Sequence, residues 1–260
     1  GNTINDRTAN GNDGTIVGAN RSYGKLGWGM EFDGVDDYVN ISDPDTLNFG
    51  DGSIDSPFSV SAWINVFDTG TASDNVIVIV GQYHNIIGRD WLFFIGTGDD
   101  LRLFLYDESS DNFIGREDTN DFDYGNWHYV VGTYDGSSSS SGIKLYIDGI
   151  QVDDGDTNQA TYTAMEGSDT DIIIGMAQGG GTPSGFLNGT IDEVKIYNRA
   201  LTPEEIAESY SRGKGIGNIT TITPLAVSAN ASSDADNDDA LFTAVDWWKD
   251  NTLNATTGKP

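Results

Sequence analysis

Apolar and polar positions alternate along much of this chain with a period of two. Phe58-Ser-Val-Ser-Ala-Trp-Ile-Asn-Val66 sets apolar residues against small or polar ones at every second position, the signature of a strand. Trp127 to Tyr134 is rich in aromatic and β-branched residues. Ile143-Lys-Leu-Tyr-Ile147, Asp148-Gly149 and Ile150-Gln-Val152 read as a hairpin, because Asp-Gly supplies the positive φ angles of a type I′ turn. Further strands are expected near 37–42, 76–82, 91–95, 101–106, 172–176 and 190–197. Many short antiparallel strands joined by Gly and Asp turns predict an all-β fold, a two-sheet sandwich or jelly roll.

One helix interrupts this pattern. Thr202-Pro203-Glu204-Glu205 places a capping threonine, proline at the first helical position and glutamate three residues after the cap, which is a capping box. Ile206, Ala207 and Tyr210 form its apolar face, and Gly213 is the expected stop. The division expected is a jelly roll over 1–213 and a partial β-rich segment over 214–260. That segment holds a strand candidate at Asn218–Val227, an acidic loop at Asp234–Asp239 and an apolar run from Ala240 to Trp248. At 47 residues (260 − 213) it is about half of an immunoglobulin-like sandwich.

Composition narrows the function. Lys and Arg total 13 against 41 Asp and Glu, a net charge of −28. Without a basic cluster, nucleic acid and anionic membrane surfaces are excluded as partners. The longest apolar runs, Val76–Val80 among them, are far short of the ~20 residues of a membrane span, so no membrane insertion is expected. With no Cys and only His84 and His128, thiol chemistry and multi-histidine metal sites fall away. The acids are 33 Asp and only 8 Glu, a choice that suits turns and oxygen-ligand loops rather than helical surfaces. Sequons begin at Asn20, Asn40, Asn188, Asn218, Asn230 and Asn254. Together with the acidity they favour an extracellular, glycosylated surface protein; the alternative is a soluble acidic protein from a salty environment.

Three segments carry a resemblance: Asn10 to Gly18; Phe32-Asp-Gly-Val-Asp-Asp-Tyr-Val39 with Phe58 to Ile64; and Gly189-Thr-Ile-Asp-Glu-Val-Lys-Ile-Tyr-Asn-Arg-Ala-Leu-Thr-Pro-Glu-Glu-Ile206. In order and spacing they resemble the laminin-G-like jelly rolls of the concanavalin A-like lectin/glucanase superfamily, across residues 4–213. The resemblance implies a module of secreted or cell-surface proteins. It also implies calcium, held by an aspartate opening the final strand and by oxygens near the N-terminus. Asp192 matches the first, and Asn12, Asp13 and Asp33 are the nearest matches for the others; the alternative is that these side chains close turns and cap strands. The stretch Met176–Thr182 lacks the acids that pentraxins carry there and reads as a flexible glycine loop. Ser233 to Asn254 resembles the first half of Ig-like or PKD-like surface repeats, and Asp234, Asp236 and Asp238 offer a possible second metal loop, though without the glycine or the Glu of an EF-hand.

Flat aromatic rings stack on sugar faces, so Tyr83, Trp91, Tyr106 and Tyr124, with His84, are candidate glycan contacts near predicted loops; the alternative for all is packing. Trp63 and Trp127 lie inside periodic strands and are assigned to the core. The superfamily's glucanases carry Glu-x-Asp-x-x-Glu, but here Glu31-Phe-Asp33 is followed by Asp36 in a turn, and Asp121-Phe-Asp123 is also turn-like. No catalytic pair emerges, so a non-enzyme is expected. Two readings stay open. One is a recognition or adhesion module for glycans or surface glycoproteins with calcium-stabilised loops. The other is a structural subunit of a filament or layer, joined head to tail to other copies of itself by β-strand addition through 214–260.

Overall fold

A computed structural model describes residues 2–42, 45–67, 76–84, 88–159, 161–179, 182–214 and 240–244. The described strands begin with β1 (Thr3–Ile4), β2 (Gly14–Val17), β3 (Asn20–Tyr23), β4 (Trp28–Asp33), β5 (Tyr38–Ile41), β6 (Phe58–Val66) and β7 (Ile77–His84). They continue as β8 (Gly88–Ile95), β9 (Leu101–Asp107), β10 (Asn112–Glu117), β11 (His128–Tyr134), β12 (Ile143–Ile147), β13 (Ile150–Gln151) and β14 (Gly155–Asn158). The last are β15 (Ile172–Ile174), β16 (Ala177–Gly179), β17 (Thr182–Ser184), β18 (Asn188–Tyr197) and, after helix α1 (Pro203–Gly213), β19 (Ala240–Ala244).

Two sheets stack face to face, as the strand pattern predicts. The first runs β1-β2-β5-β15-β7-β8-β9-β10-β14, with the β16–β17 hairpin attached to β7; the second runs β13-β12-β11-β6-β18-β4-β3, with β19 on β18. Between them lies a core that includes Phe32, Phe58, Ile64, Trp91, Phe93 and Tyr134. Burying such side chains supplies the main driving force for the fold, roughly 1.5–3 kcal/mol each. The expected hairpin turn is present, with φ of 54° at Asp148 and 80° at Gly149.

Alternation in β6 serves two interfaces. Phe58, Val60, Ala62, Ile64 and Val66 face the inter-sheet core, whereas Trp63 faces outward into a second cluster with Tyr129, Val131, Tyr197, Leu201 and Ile206 beneath α1. Trp127 packs against that cluster too. The capping box forms as expected: the Glu205 amide donates to Thr202 Oγ1 (3.3 Å) and the Thr202 amide to the Glu205 carboxylate (2.8 Å). The helix ends at Gly213 as expected, but not through a left-handed glycine cap. That glycine is the last helical residue, and Lys214 caps the helix at φ −63°. Its missing side chain serves packing, since a β-carbon there would run into the Trp63 indole.

The expected strand candidate at 218–227, the acidic loop at 234–239 and residues 245–248 lie outside the described residues. Residues 240–244 do form a strand. It pairs antiparallel with β18 of the same chain, from Val194↔Ala244 to Tyr197↔Ala240. The strand expected to need either a longer chain or another copy finds its hydrogen-bond partner within its own sandwich. The 176–182 stretch is likewise more than a loop, as Ala177–Gly179 pairs with Thr182–Ser184.

Between β14 and β15 the chain crosses the end of the sandwich, and three aspartates tie it down. Asp55 accepts the Tyr134 hydroxyl (2.6 Å), the Tyr162 hydroxyl (2.9 Å) and the Met165 amide (2.8 Å). Asp90 accepts the amides of Glu166, Gly167 and Ser168 and the Ser168 hydroxyl, at 2.7–3.1 Å. Asp107 accepts the Thr163 and Ser110 amides (2.8 and 3.0 Å). Gln82 completes the set by donating to the carbonyls of Ser168 (2.9 Å) and Thr170 (3.2 Å). Burial pushes the acids of Asp55 and Asp90 up. At Asp107 burial also opposes ionisation, but its donors outweigh it and hold the group below the usual range.

A fourth buried aspartate pins the opposite sheet. Asp192 on β18 accepts the Leu26 amide (2.8 Å) from the β3–β4 turn and the Glu193 amide (2.8 Å) beside it. The carboxylate is nonetheless pushed up to about 6, chiefly by burial.

Two outcomes follow for stability. Asp55→Ala strands two buried phenol hydroxyls and an amide and should cost about 3 kcal/mol in urea unfolding, whereas Tyr162→Phe should cost about 1 kcal/mol; a loss below 1 kcal/mol for Asp55→Ala would remove its role as a pin. For Asp192 the folded value lies above the ordinary carboxylate value, so the stabilisation belongs to the protonated form. It is complete below about pH 4 and lost as pH rises through about 6. The unfolding free energy of wild type minus Asp192→Asn, followed from pH 3.5 to 7, should therefore fall by roughly 3 kcal/mol. A flat difference, or a rise with pH in the presence of calcium, would contradict this assignment.

Candidate functional site

The outer face of the first sheet is where polar and aromatic side chains converge. Strand register sets Thr15 opposite Asn40, Asn40 opposite Ile173 and Ile173 opposite Gly81, a row across four strands. Because Val39, Ile41, Ile172 and Ile174 turn into the core, Thr15, Tyr38, Asn40 and Ile173 point the other way. Together with Tyr83, His84 and the 169–171 stretch they line a cleft of about 440 Å³, rimmed by Gln178 of β16. Ile173 supplies an apolar floor, and Asn40 Nδ2 donates to the Asp171 carboxylate at 2.8 Å. A pocket with an apolar base and a few convergent polar groups is the usual form of a small-ligand site.

Beside the cleft the same face carries aromatic side chains in contact. The Tyr83 and Tyr106 rings meet edge-on at 5.1 Å, and Phe113 lies 5.7 Å from Tyr106. Arg89 lies 5.4 Å from the Tyr106 ring centre and bonds to Glu108 and Asp111 (both 2.6 Å). Burial pushes both tyrosine hydroxyls up, which leaves them neutral groups able to donate and accept.

The four expected aromatic contacts therefore separate. Tyr83 lines the cleft, as does His84, and half-buried Tyr106 adjoins it. Tyr124 lies elsewhere, half-buried against the core, with its hydroxyl on Asp99 (2.9 Å). Trp91 is a correction. It is 0 % exposed and packs against Phe58 between the sheets, because β8 turns Trp91, Phe93 and Ile95 to the same, inner side. Position beside a predicted loop hid that parity. Tyr38 and Asn40 also line the cleft and were not anticipated; the signal was their outward parity in a strand whose Val39 and Ile41 are apolar.

The expected metal set also separates. Asp192 spends its oxygens on backbone amides beneath the β3–β4 turn. Asn12 bonds to Thr46 and Asp13 accepts the Asp6 amide, at the start of β2. Asp33 pairs across the sheet with Asn188, four residues along β18 from Asp192 and so roughly 13 Å away. The structure does not bring these four together. Among the described residues, Asp33 instead meets Asp36 and Asp37, with ligand oxygens within 4.8 Å of one another. Two of those carboxylates already accept local amides: Asp33 those of Val35 and Asp36, and Asp37 that of Asp33. Asp234, Asp236 and Asp238 lie outside the described residues.

Of the sequons, Asn20 is exposed on edge strand β3. Asn40 sits in the cleft, and Asn188 is half-buried on β18. Asn218, Asn230 and Asn254 fall outside the described residues. No helix among the described residues is long and apolar enough to cross a membrane.

Similar folds occur in known proteins. The binding domain of Paraclostridial Mosquitocidal Protein 1 superposes with a TM-score of 0.62 at 17% identity, over 80% of this chain and 49% of that one; the chain thus spans about half its length. Domain 4 of AbnA, an extracellular arabinanase from Geobacillus stearothermophilus solved with arabinotriose, superposes at 0.53 and 19% identity, over 75% of this chain and 86% of that domain. The binding domain of botulinum neurotoxin serotype G superposes at 0.57 and 13% identity, over 81% of this chain and 50% of that one. At such identities the likeness establishes the fold alone. No curated protein sequence matches the chain. The sequence model of the laminin-G type within the Concanavalin A-like lectin/glucanases superfamily matches residues 33–207. From strand order to capped helix, the chain belongs to that family.

Proposed function

We propose that this protein is a non-catalytic extracellular recognition module that binds glycans, free or on surface glycoproteins, in the cleft on the outer face of its first sheet. The observation that carries the reading is the cleft's chemistry: an Ile173 floor beside Tyr38 and Tyr83, ringed by Thr15, Asn40, His84, Asp171 and Gln178. Rings and an aliphatic floor suit the apolar faces of a sugar, and amides, hydroxyls and carboxylates suit its hydroxyl groups. The arabinanase domain of similar fold, solved with a trisaccharide, supports the reading. Six sequons and a charge of −28 fit a surface location. Calcium, expected from the sequence as a loop stabiliser, is not needed for this reading.

A glycan array followed by titration calorimetry tests the proposal. Tyr38→Ala and Tyr83→Ala should each weaken binding about tenfold, with melting temperature changed by only a few degrees. Retention of no glycan, or binding indifferent to both substitutions, would refute it.

A further inference from the structure

Resting on that reading, we infer that the cleft sorts glycans by charge: it takes uncharged sugars and refuses those bearing carboxylate or sulfate groups. Asp169 and Asp171 both line the cleft, and the described lining contains no Lys or Arg. Asp169 is exposed on the segment that the buried aspartates hold in place. The nearest cation on the adjoining strand, Arg89 opposite Tyr83, is bonded to both Glu108 and Asp111. That trio adds net negative charge to the border of the site, so Arg89 offers no counter-charge to an incoming anion.

The same two carboxylates suit a neutral sugar. Ionised, they accept hydrogen bonds and donate none. A sugar hydroxyl supplies the donor they lack, whereas a second carboxylate supplies only repulsion. Asp171 already accepts from Asn40 at 2.8 Å, which orients its remaining lone pairs. The chain's charge of −28 adds a long-range field of the same sign. Over a Debye length of about 10 Å at 0.1 M salt, that field is weakened and the short-range repulsion within the cleft remains in part.

The test uses galactan, mannan and cello-oligosaccharide, each beside its counterpart oxidised at C6 to the uronate. Affinity electrophoresis and calorimetry are run at pH 8 in 20 mM and 300 mM salt. In at least one pair the neutral glycan should bind and its uronate should bind at least tenfold more weakly at low salt. High salt should narrow that gap. Asp169→Asn should narrow it about threefold by raising the affinity for the uronate, and Asp169→Asn/Asp171→Asn further, while the thermal unfolding of Asp169→Asn matches wild type. Uronates that bind as well as their neutral partners overturn the charge inference and leave the glycan reading standing. So does a gap that neither salt nor Asp169→Asn changes. Binding of no member of any pair overturns both.

Discussion

Hydrogen bonding between buried aspartate carboxylates and backbone amides is the constraint on which the arrangement of this molecule depends. A segment leaving one sheet edge and crossing the sandwich end has no ladder to satisfy its amides. Asp55, Asp90 and Asp107 supply acceptors for five of them, at Thr163, Met165, Glu166, Gly167 and Ser168. Without its bond the buried Met165 amide would be left unpaired, at a cost of about 1–3 kcal/mol, and the other four, part-buried, would lose their fixed partners. The fixed segment then delivers Asp169, Thr170 and Asp171 to the cleft and Ile172–Ile174 to the sheet. Site and scaffold are held by the same contacts.

Two kinds of aspartate stand out among the many. One is buried and spent on the chain's own amides, which is why Asp192 stands alone beneath its turn. The other is exposed and gives the protein its field. The Asp-rich composition and the calcium expected from it pull in different directions here. A carboxylate already accepting two or three amides has few lone pairs left for a hard cation that wants six to eight oxygens.

The sheet content, the Asp148-Gly149 hairpin and the capped helix were legible in the sequence because each depends on local chemistry: alternation, a turn dipeptide, a cap with its reciprocal glutamate. The family was legible for the same reason, since strand, turn and helix follow one another in one short run from Gly189 to Ile206. The site was legible only in part. Tyr83 and His84 could be named from their place near a loop, but Trp91 has the same neighbourhood and the opposite parity. Which face of β8 meets solvent is set by Phe58 and Tyr134, on strands far away in sequence. Asn40 and Asp171 are 131 residues apart, and no local pattern announces that they touch. Gly213 illustrates a further limit: glycine near a helix end usually signals a left-handed cap, yet here it clears space for Trp63.

The order of strands carries a consequence for how the chain is made. Each sheet receives a late strand in its middle: β15 enters between β5 and β7, and β18 between β4 and β6. Strands from the first 41 residues therefore have no lateral partner on the main body until residues 172–197 have left the ribosome. The sandwich cannot assemble progressively from its N-terminus. It closes late and over long loops, the topology that folds slowly and leaves apolar strands exposed meanwhile. An acidic chain whose nascent copies repel one another is well suited to surviving that interval.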